Sequence, residues 1–364
     1  MGKGTLTLWR ISLAGRVLTH WIIEALSKET RLHTARFAKT PDVQTLLSPV
    51  PPSSSLLLCT RRGDIVSVTS TKKRTELGNL LAVAPTRGGK GLLAVSQLLT
   101  GRHSVIVNDI KGDLFTQTAG YRSTLGQVFV IDPKGIGHTF DPLTGAETED
   151  ELCALATHLL YQADEVEGAI FTQRAIFMLT QMLLASRQEK IPPFPYIRAL
   201  IRSGFVSTAE TLHRLNPEFA AQFLDDRFGK ANLTDRFLLS AWGTLTARLR
   251  PLLTETAIRS LTRSSFTPES IIRSTKPVTV YLRWREKDLV ALTPLIRLLW
   301  GSLIDGMLTT YDETQGEGCH PVLLLVDEAG RTPIPMLADH AVTVVGRRLY
   351  LWLSVQDLSQ IESK

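Results

Sequence analysis

"LLAVAPTRGGKGLLAVSQLLTGRHSVIVNDIKGD", residues 80–113, contains an apolar run, a glycine-rich turn with one lysine, a second apolar run and an acidic turn. Continuous apolar runs that alternate with helical patterns are typical of parallel strands whose two faces are both covered. The segments "NLLAVAPT", "SVIVNDI" and "QVFVIDP" predict three such strands, with helices between them. The sequence therefore predicts an α/β fold with a mainly parallel sheet.

The turn "APTRGGKG", residues 84–91, stands where a P-loop joins a strand to a helix. Backbone N–H groups of such a turn and the following helix N-terminus form a concave anion site, and Lys90 adds a charge directed toward the β- and γ-phosphates of a nucleotide. Ala84 replaces the usual first glycine, and Gly91 replaces the usual magnesium-binding hydroxyl. Taken alone, the turn is equally consistent with a purely structural glycine-rich turn. The predicted ATP-binding residues are Ala84, Pro85, Thr86, Arg87, Gly88, Gly89, Lys90, Gly91 and Leu92.

A second motif, "LLLVDEAG", is an apolar strand that ends in Asp327 and Glu328. In a Walker B site the aspartate orders hydrated Mg²⁺ and the glutamate polarises the attacking water. An acidic pair after a strand is also a common surface turn. Because both motifs follow predicted parallel strands, we expect them to converge across adjacent sheet edges and to bind one ATP with its Mg²⁺.

Three further residues are candidates for the same chemistry. Gln356 ends the next predicted strand, where a polar group can sense a γ-phosphate or position water. Arg347 and Arg348 follow the helix after the acidic pair and are candidates to supply a charge to a neighbouring subunit's nucleotide. The alternative for both arginines is an ordinary surface position before a strand.

The composition is that of a globular protein, with 43% hydrophobic and 21% charged residues in 364. Three cysteines without a C-x-x-C spacing argue against a disulfide framework or a metal cage and favour a reducing compartment. Residues 1–75 hold 12 Lys and Arg against four Asp and Glu, although the whole chain has a net charge of only +6. This basic section is suited to anionic lipid or nucleic acid, or is simply a solvated surface.

The pattern along the chain predicts four parts. Residues 1–75 form a basic segment with a small β element, whose apolar stretch at 8–26 is interrupted by charges and reads as an amphipathic surface helix rather than a membrane span. Residues 76–150 and 275–364 form the two parts of a nucleotide-binding domain. Residues 151–274 show helical patterns only and form an inserted all-α domain.

The ordered motifs together resemble the type IV secretion coupling proteins, the TraG/TraD-like conjugative DNA-transfer ATPases related to FtsK/HerA-like translocases. The resemblance begins at about residue 32 and includes "HTARFA" (33–38), "APTRGGKG", "VNDIKGDLFTQTAGYR" (107–122), "VFVIDP", "TFDPL", "LLLVDEAG", "VGRR" and "SVQDLSQI". Members of this family often carry a glycine after the P-loop lysine, as Gly91 does here.

The resemblance implies a RecA-like P-loop motor that hydrolyses ATP with Mg²⁺, with Arg347 in the region of the family's finger arginine. It also implies a homo-hexamer at the cytoplasmic face of the bacterial inner membrane that acts on DNA with its relaxase, or on secreted protein, together with channel components. The family's membrane helices are not predicted in this chain, so membrane contact is expected through the N-terminal side or a missing anchor. The chain ends eight residues after Gln356, whereas the family continues, which predicts a C-terminal truncation. Two alternatives remain, a DNA translocase not tied to secretion and a non-catalytic nucleotide-binding adaptor.

Overall fold

The computed structural model describes residues 47–48, 55–61, 64–69, 77–133, 137–160, 169–223, 235–357 and 359–362. Residues 48–364 form one compact unit. The amphipathic helix predicted at 8–26 lies outside the described residues. A two-residue strand, β1 (Leu47–Ser48), is the first described element.

The predicted N-terminal β element is a hairpin of β2 (Ser55–Arg61) and β3 (Asp64–Thr69), which pair antiparallel. Gln97, on the helix after the glycine-rich turn, attaches this hairpin to the rest of the unit. Its side-chain oxygen accepts from the Leu57 N–H at 2.8 Å, and its side-chain nitrogen donates to the Ser55 carbonyl at 2.9 Å. Gln97 is buried, so both polar ends of its amide are satisfied by strand backbone.

The main sheet has six strands in the order β4-β9-β8-β5-β7-β6, and every neighbouring pair is parallel. Its strands are β4 (Leu80–Val83), β5 (Ser104–Asp109), β6 (Val128–Ile131), β7 (Thr279–Arg283), β8 (Val322–Val326) and β9 (Leu349–Val355). All residues of the central strands β5 and β8 are buried, as their continuous apolar runs predict. The predicted parallel α/β architecture is therefore confirmed.

One face of the sheet is covered by α1 (Lys90–Thr100) and α2 (Asp113–Leu125). Leu98 on α1 and Leu114 on α2 pack in a core with inward side chains of the strands, among them Val107 and Trp352. The other face is covered by the long helix α11 (Leu289–Glu313) and by the helical region.

The region predicted to be all-α contains helices only among its described residues. They are α3 (Glu149–Leu160), α4 (Ala169–Gln188), α5 (Pro193–Ser203), α6 (Phe205–Leu215), α7 (Pro217–Ala220), α8 (Arg236–Leu249), α9 (Glu255–Leu261) and α10 (Pro268–Ile272), with a 3₁₀ turn at Arg250–Leu253. The buried residues of these helices, such as Leu179, belong to the same core as Val280 and Leu324 of the sheet. The helices thus share a core with the nucleotide-binding fold instead of building a separate one.

Within the described residues, one helix, Glu286–Glu313, is long and apolar enough to cross a membrane. Half of the most apolar 18-residue stretch of this helix is buried, and Leu299, Trp300 and Leu303 are fully enclosed in the core against the sheet. A core helix accounts for this apolar character.

The remaining helices are short: α12 (Leu337–Thr343), α13 (Ser359–Glu362) and 3₁₀ turns at Glu286–Asp288, Ala329–Arg331 and Val345–Arg347. Cys153 and Cys319 are free thiols, and the Cys59 side chain lies outside the described part of the structure.

Candidate nucleotide-binding site

The glycine-rich turn closes tightly between β4, which ends at Val83, and α1, which begins at Lys90. A Cβ on Gly88 would lie 2.8 Å from the Ala84 Cβ and 2.9 Å from the Pro85 carbonyl, so only glycine fits there without movement of the turn. The backbone then passes through the left-handed region at Arg87 (φ 64) and Gly89 (φ 88). Thr86–Gly89, Gly91 and Leu92 are exposed, so a ligand can reach the turn.

The N-terminus of α1 is open to an anion. The first bond of the helix runs from the Leu93 N–H to the Gly89 carbonyl at 3.0 Å, so the N–H groups of residues 90–92 precede the helical ladder. Gly89 provides no side-chain cap, and the first turn carries no acidic residue. Such N–H groups and the helix dipole favour a phosphate group at this position.

Lys90 lies over the turn itself. Its Nζ donates to the carbonyls of Ala84 and Pro85, the latter at 3.1 Å. Nothing lies within 4 Å of a Cβ built on Gly91, so the missing hydroxyl at that position is not a consequence of crowding.

The acidic pair follows β8 at the same edge of the sheet as the glycine-rich turn. In the parallel register Val83 is level with Val355, and Val326 is level with Leu353. Both motifs follow separate parallel strands, and β9 lies between β4 and β8. Two strand spacings, about 10 Å, therefore separate the lysine turn from Asp327.

The intervening strand β9 supplies the residues that orient the acidic pair. The Ser354 hydroxyl donates to Asp327 Oδ1 at 2.6 Å and accepts from the Glu328 N–H at 3.2 Å. The Gln356 side-chain nitrogen donates to Glu328 Oε2 at 3.1 Å. Glu328 itself has left-handed backbone angles (φ 55, ψ 48), an uncommon conformation for glutamate that these contacts hold. The structure thus brings Gln356 and the acidic pair together.

Asn108 is the buried centre of the network below the acidic pair, and the sequence analysis gave it no role. Its side-chain nitrogen donates to the Asp327 carbonyl at 3.0 Å and to the Thr332 hydroxyl at 2.8 Å. Its side-chain oxygen accepts from Trp284 Nε1 at 2.9 Å. The available signal was an asparagine inside the apolar run "SVIVNDI", since a buried amide requires partners from other strands.

Asp109, in the "VNDIKGD" segment, organises the next turn along the edge. Its carboxylate accepts the N–H groups of Gly112 and Phe115, both at 2.8 Å, and so caps α2. Burial raises the pKa of the Asp109 carboxyl, against the effect of those hydrogen bonds. Arg283, at the end of β7, lies over the Phe115 ring at 4.9 Å from its centroid. These contacts fix the shape of the turn beside Asn108.

Arg347 lies at the amino-terminal ends of the parallel strands, whereas the site lies at their carboxyl ends. It precedes β9, whereas Gln356 follows it, so the seven-residue strand separates them by about 23 Å. Arg347 Nε donates to Asp312 at 2.7 Å, and this hydrogen-bonded ion pair raises the pKa of the guanidinium. Arg348 donates to the Cys319 carbonyl. Neither arginine meets the lysine turn or the acidic pair within this chain.

Comparison with known proteins identifies the family. The model of the type IV secretory system conjugative DNA transfer family matches residues 28–364. The chain belongs to this family. Family members similar to it include the protein VirD4 of Rhizobium radiobacter, 28% identical over 308 residues, and the conjugal transfer protein TraG of Escherichia coli, 20% identical over 322 residues. These matches cover 77% and 79% of this chain but only 42% and 49% of the relatives, so the chain spans less than half their length.

Solved structures of the conjugative coupling protein TrwB share the fold. The unbound TrwBdeltaN70 structure has a TM-score of 0.69 at 16% identity and covers 91% of this chain and 72% of its own. The TrwB complex with ADP and Mg²⁺ has a TM-score of 0.68 at 17% identity, with 91% and 74% covered. The likeness confirms the predicted RecA-like P-loop fold, and the family match confirms the predicted resemblance to coupling proteins.

Proposed function

We propose that this chain is the ATP-hydrolysing motor portion of a type IV secretion coupling protein. The observation that carries the proposal is the contact of Gln356 with Glu328 at the sheet edge that also bears the Lys90 turn. A carboxylate oriented in this way, about 10 Å from a phosphate-binding turn, suits a general base that activates water against a terminal phosphate.

Each site residue has a role in the proposal. The turn from Ala84 to Leu92 binds the phosphates through its N–H groups, with the Lys90 ammonium released from its own turn to contact them. Asp327, held by Ser354, contacts hydrated Mg²⁺, and Glu328 acts as the base with Gln356 as its positioning partner. Bound Mg²⁺ supplies positive charge that offsets the phosphate oxygens.

The donor set of this chain fits such a metal. Among the described residues no group of three or more His, Cys, Asp or Glu forms a cage. Mg²⁺ is commonly held by one or two carboxylates together with nucleotide phosphates and water, and the single carboxylate of Asp327 matches that pattern. The TrwB structures with ADPNP and with ADP and Mg²⁺ support the same cofactors here.

The family also supports a cellular role. We propose that the chain acts as a homo-hexamer at the cytoplasmic face of the bacterial inner membrane and moves DNA with its relaxase, or secreted protein, into a type IV secretion channel. The position of Arg347 agrees with an oligomer, since it lies too far from the site of its own chain and is exposed enough to reach another copy. The basic segment 1–75 is proposed to face the membrane.

A non-catalytic nucleotide-binding adaptor is the second candidate. It is favoured by two observations, the contact of Lys90 with its own turn and the absence of a hydroxyl at Gly91. A DNA translocase outside secretion would use the same site residues as the motor, and it differs only in its partners.

The test measures ATP affinity and steady-state hydrolysis, with and without DNA, for the wild type, Lys90→Ala and Glu328→Gln. We expect Lys90→Ala to lose both activities. Glu328→Gln should retain ATP binding while kcat falls by roughly 100-fold or more, because the general base is absent. Lys276→Ala and Glu210→Gln change exposed residues elsewhere and serve as matched controls. Binding without hydrolysis by the wild type, even with DNA, would support the adaptor instead.

A further inference from the structure

The helical region contains a second cationic site, far from the glycine-rich turn in the sequence. A cavity of about 780 Å³ opens between α5, α8 and the 3₁₀ turn that follows α8. Three arginines line it: Arg198 and Arg202, one turn apart on α5, and Arg250 on the 3₁₀ turn. The cavity is large enough for a ligand of several tens of atoms.

The three arginine side chains have no ion-pair or hydrogen-bond partner in the described part of the chain. Among the described residues, no aspartate or glutamate lines the cavity. Elsewhere in this chain exposed arginines do find carboxylates, as Arg331 does with Glu286 at 2.6 Å. Three like charges around one concave surface repel each other, so an anion in the cavity relieves an unfavourable arrangement.

The other lining groups narrow the chemistry of the anion. Thr246 and Thr254 add hydroxyl groups, and Ile201 and Leu253 add aliphatic surface. The part of the lining that the structure describes has no aromatic ring for a base to stack on and no asparagine or glutamine to contact a base edge. The same described lining has no carboxylate or amide side chain to accept the N–H groups of an extended acidic peptide. Guanidinium donors, in contrast, match the oxygens of phosphate.

We infer that Arg198, Arg202 and Arg250 form a phosphate-binding site for a ligand that carries two or more phosphate groups, separate from the ATP site. The site contacts the phosphates and not a base, so the ligand is either the backbone of a nucleic acid strand or a free polyphosphate. The inference goes beyond the proposed motor and does not need ATP hydrolysis, because the cavity shares no residue with the turn or the acidic pair.

The test uses the full chain with the Lys90→Ala substitution, so that the glycine-rich turn does not bind the probes. Two probes separate the sources: a fluorescent oligothymidylate for the backbone and inorganic triphosphate for a free polyphosphate. The triple variant R198Q/R202Q/R250Q is compared with R214Q/R236Q/R259Q, which removes three exposed arginines from the same helical region but outside the cavity. The two variants have equal net charge.

The cavity variant should lose affinity for at least one probe, and the control variant should keep it. For the oligonucleotide, the loss of three phosphate contacts should make the plot of log association constant against log salt concentration shallower by about 2. At about 0.1 M salt this corresponds to a roughly 100-fold weaker affinity of the cavity variant. If the cavity variant loses affinity for the oligonucleotide, the ligand is a nucleic acid backbone. If it loses affinity for triphosphate alone, the ligand is a free polyphosphate. The variant R198K/R202K/R250K retains the charge without the two-donor fork, and its affinity should be intermediate.

Equal affinities of the cavity and control variants for both probes would overturn the inference. A polyglutamate peptide that loses binding in the cavity variant, while both phosphate probes keep theirs, would overturn it as well. Circular dichroism melting checks the fold, which the substitutions should leave intact because the three side chains have no partners to lose.

Discussion

Gln356 and Glu328 are hydrogen-bonded at 3.1 Å from neighbouring strands, although they are 28 residues apart in the chain. The amide nitrogen is a donor, so the contact fixes the direction of one oxygen of the carboxylate. In the proposed motor, this contact orients the Glu328 carboxylate for the activation of water.

Replacement of Gln356 by alanine should slow hydrolysis without weakening nucleotide binding. The carboxylate of Glu328 loses its positioning donor, and we expect kcat to fall at least about tenfold. Measured ATP affinity should stay within about twofold of the wild type, a change below ~0.5 kcal/mol. Gln181→Ala, which removes a surface contact with Glu149, is the matched control. An equal fall in ATP affinity and kcat would contradict a positioning role.

A hydroxyl introduced at Gly91 should improve Mg²⁺-dependent ATP binding. Because the surroundings of its Cβ are open, Gly91→Ser fits, and the serine oxygen can join the metal's ligands. We expect ATP affinity in Mg²⁺ to rise roughly tenfold, or ~1.4 kcal/mol. Gly91→Ala adds the same Cβ without the oxygen and should show no such gain. A gain of the same size in both variants, or in EDTA, would show that helix stabilisation and not metal ligation is responsible.

Asn108→Leu should destabilise the protein and misplace the acidic pair. The substitution leaves the Asp327 carbonyl and the Trp284 N–H without their partner in the core, at a cost of about 2 kcal/mol. Urea denaturation measures the loss, and ATPase assays at low temperature measure the fall in kcat of the remaining folded protein. Unchanged stability together with full activity would show that the network below Asp327 does not hold it.

The free energy of unfolding should decrease as the pH is lowered below about 6.5, because His103 is buried. Burial, with a smaller contribution from the Arg122 charge, lowers the pKa of His103 from its ordinary value of 6.5 to about 4. Between these values the unfolded chain binds a proton that the folded chain does not, so stability decreases as pH falls through this window. The decrease in the free energy of unfolding that is due to His103 reaches about 3 kcal/mol near the lower end of this pH window.

The control for this prediction is His103→Leu, since neither ring nitrogen has a hydrogen-bond partner within the described structure. Urea midpoints of both proteins at pH 7, 5.5 and 4 should diverge in favour of the variant as pH decreases. Parallel curves would show that His103 titrates normally.

Arg347→Ala should abolish hydrolysis by the assembled protein while each chain still binds ATP. Its distance from the site of its own chain means that it can act only on another copy. Mixing Arg347→Ala chains with Lys90→Ala chains should restore part of the activity, because some interfaces then combine an intact turn with an intact arginine. Arg273→Ala, which removes another exposed, ion-paired arginine, is the control. If the mixture recovers no activity, Arg347 does not act on the site of a neighbouring subunit.

The strands, the glycine-rich turn and the acidic pair could be predicted from the sequence, because each depends on local chemistry. A buried parallel strand is apolar along most of its length, as "VLLLV" is throughout and "VIV" is within β5, and the path of the turn requires Gly88. The described residues within 151–274 form helices and no strand, as the helical patterns of that stretch indicate.

Only the tertiary structure decided which strand ends meet. The order of strands in a sheet depends on crossovers that no local pattern encodes, so the position of β9 between the turn and the acidic pair became visible only in the fold. The same reason applies to Asn108, whose partners come from two separate segments, and to the arginine cavity, which forms where two elements about fifty residues apart pack together. Local sequence fixes what a side chain can donate or accept, and long-range packing fixes which groups it reaches.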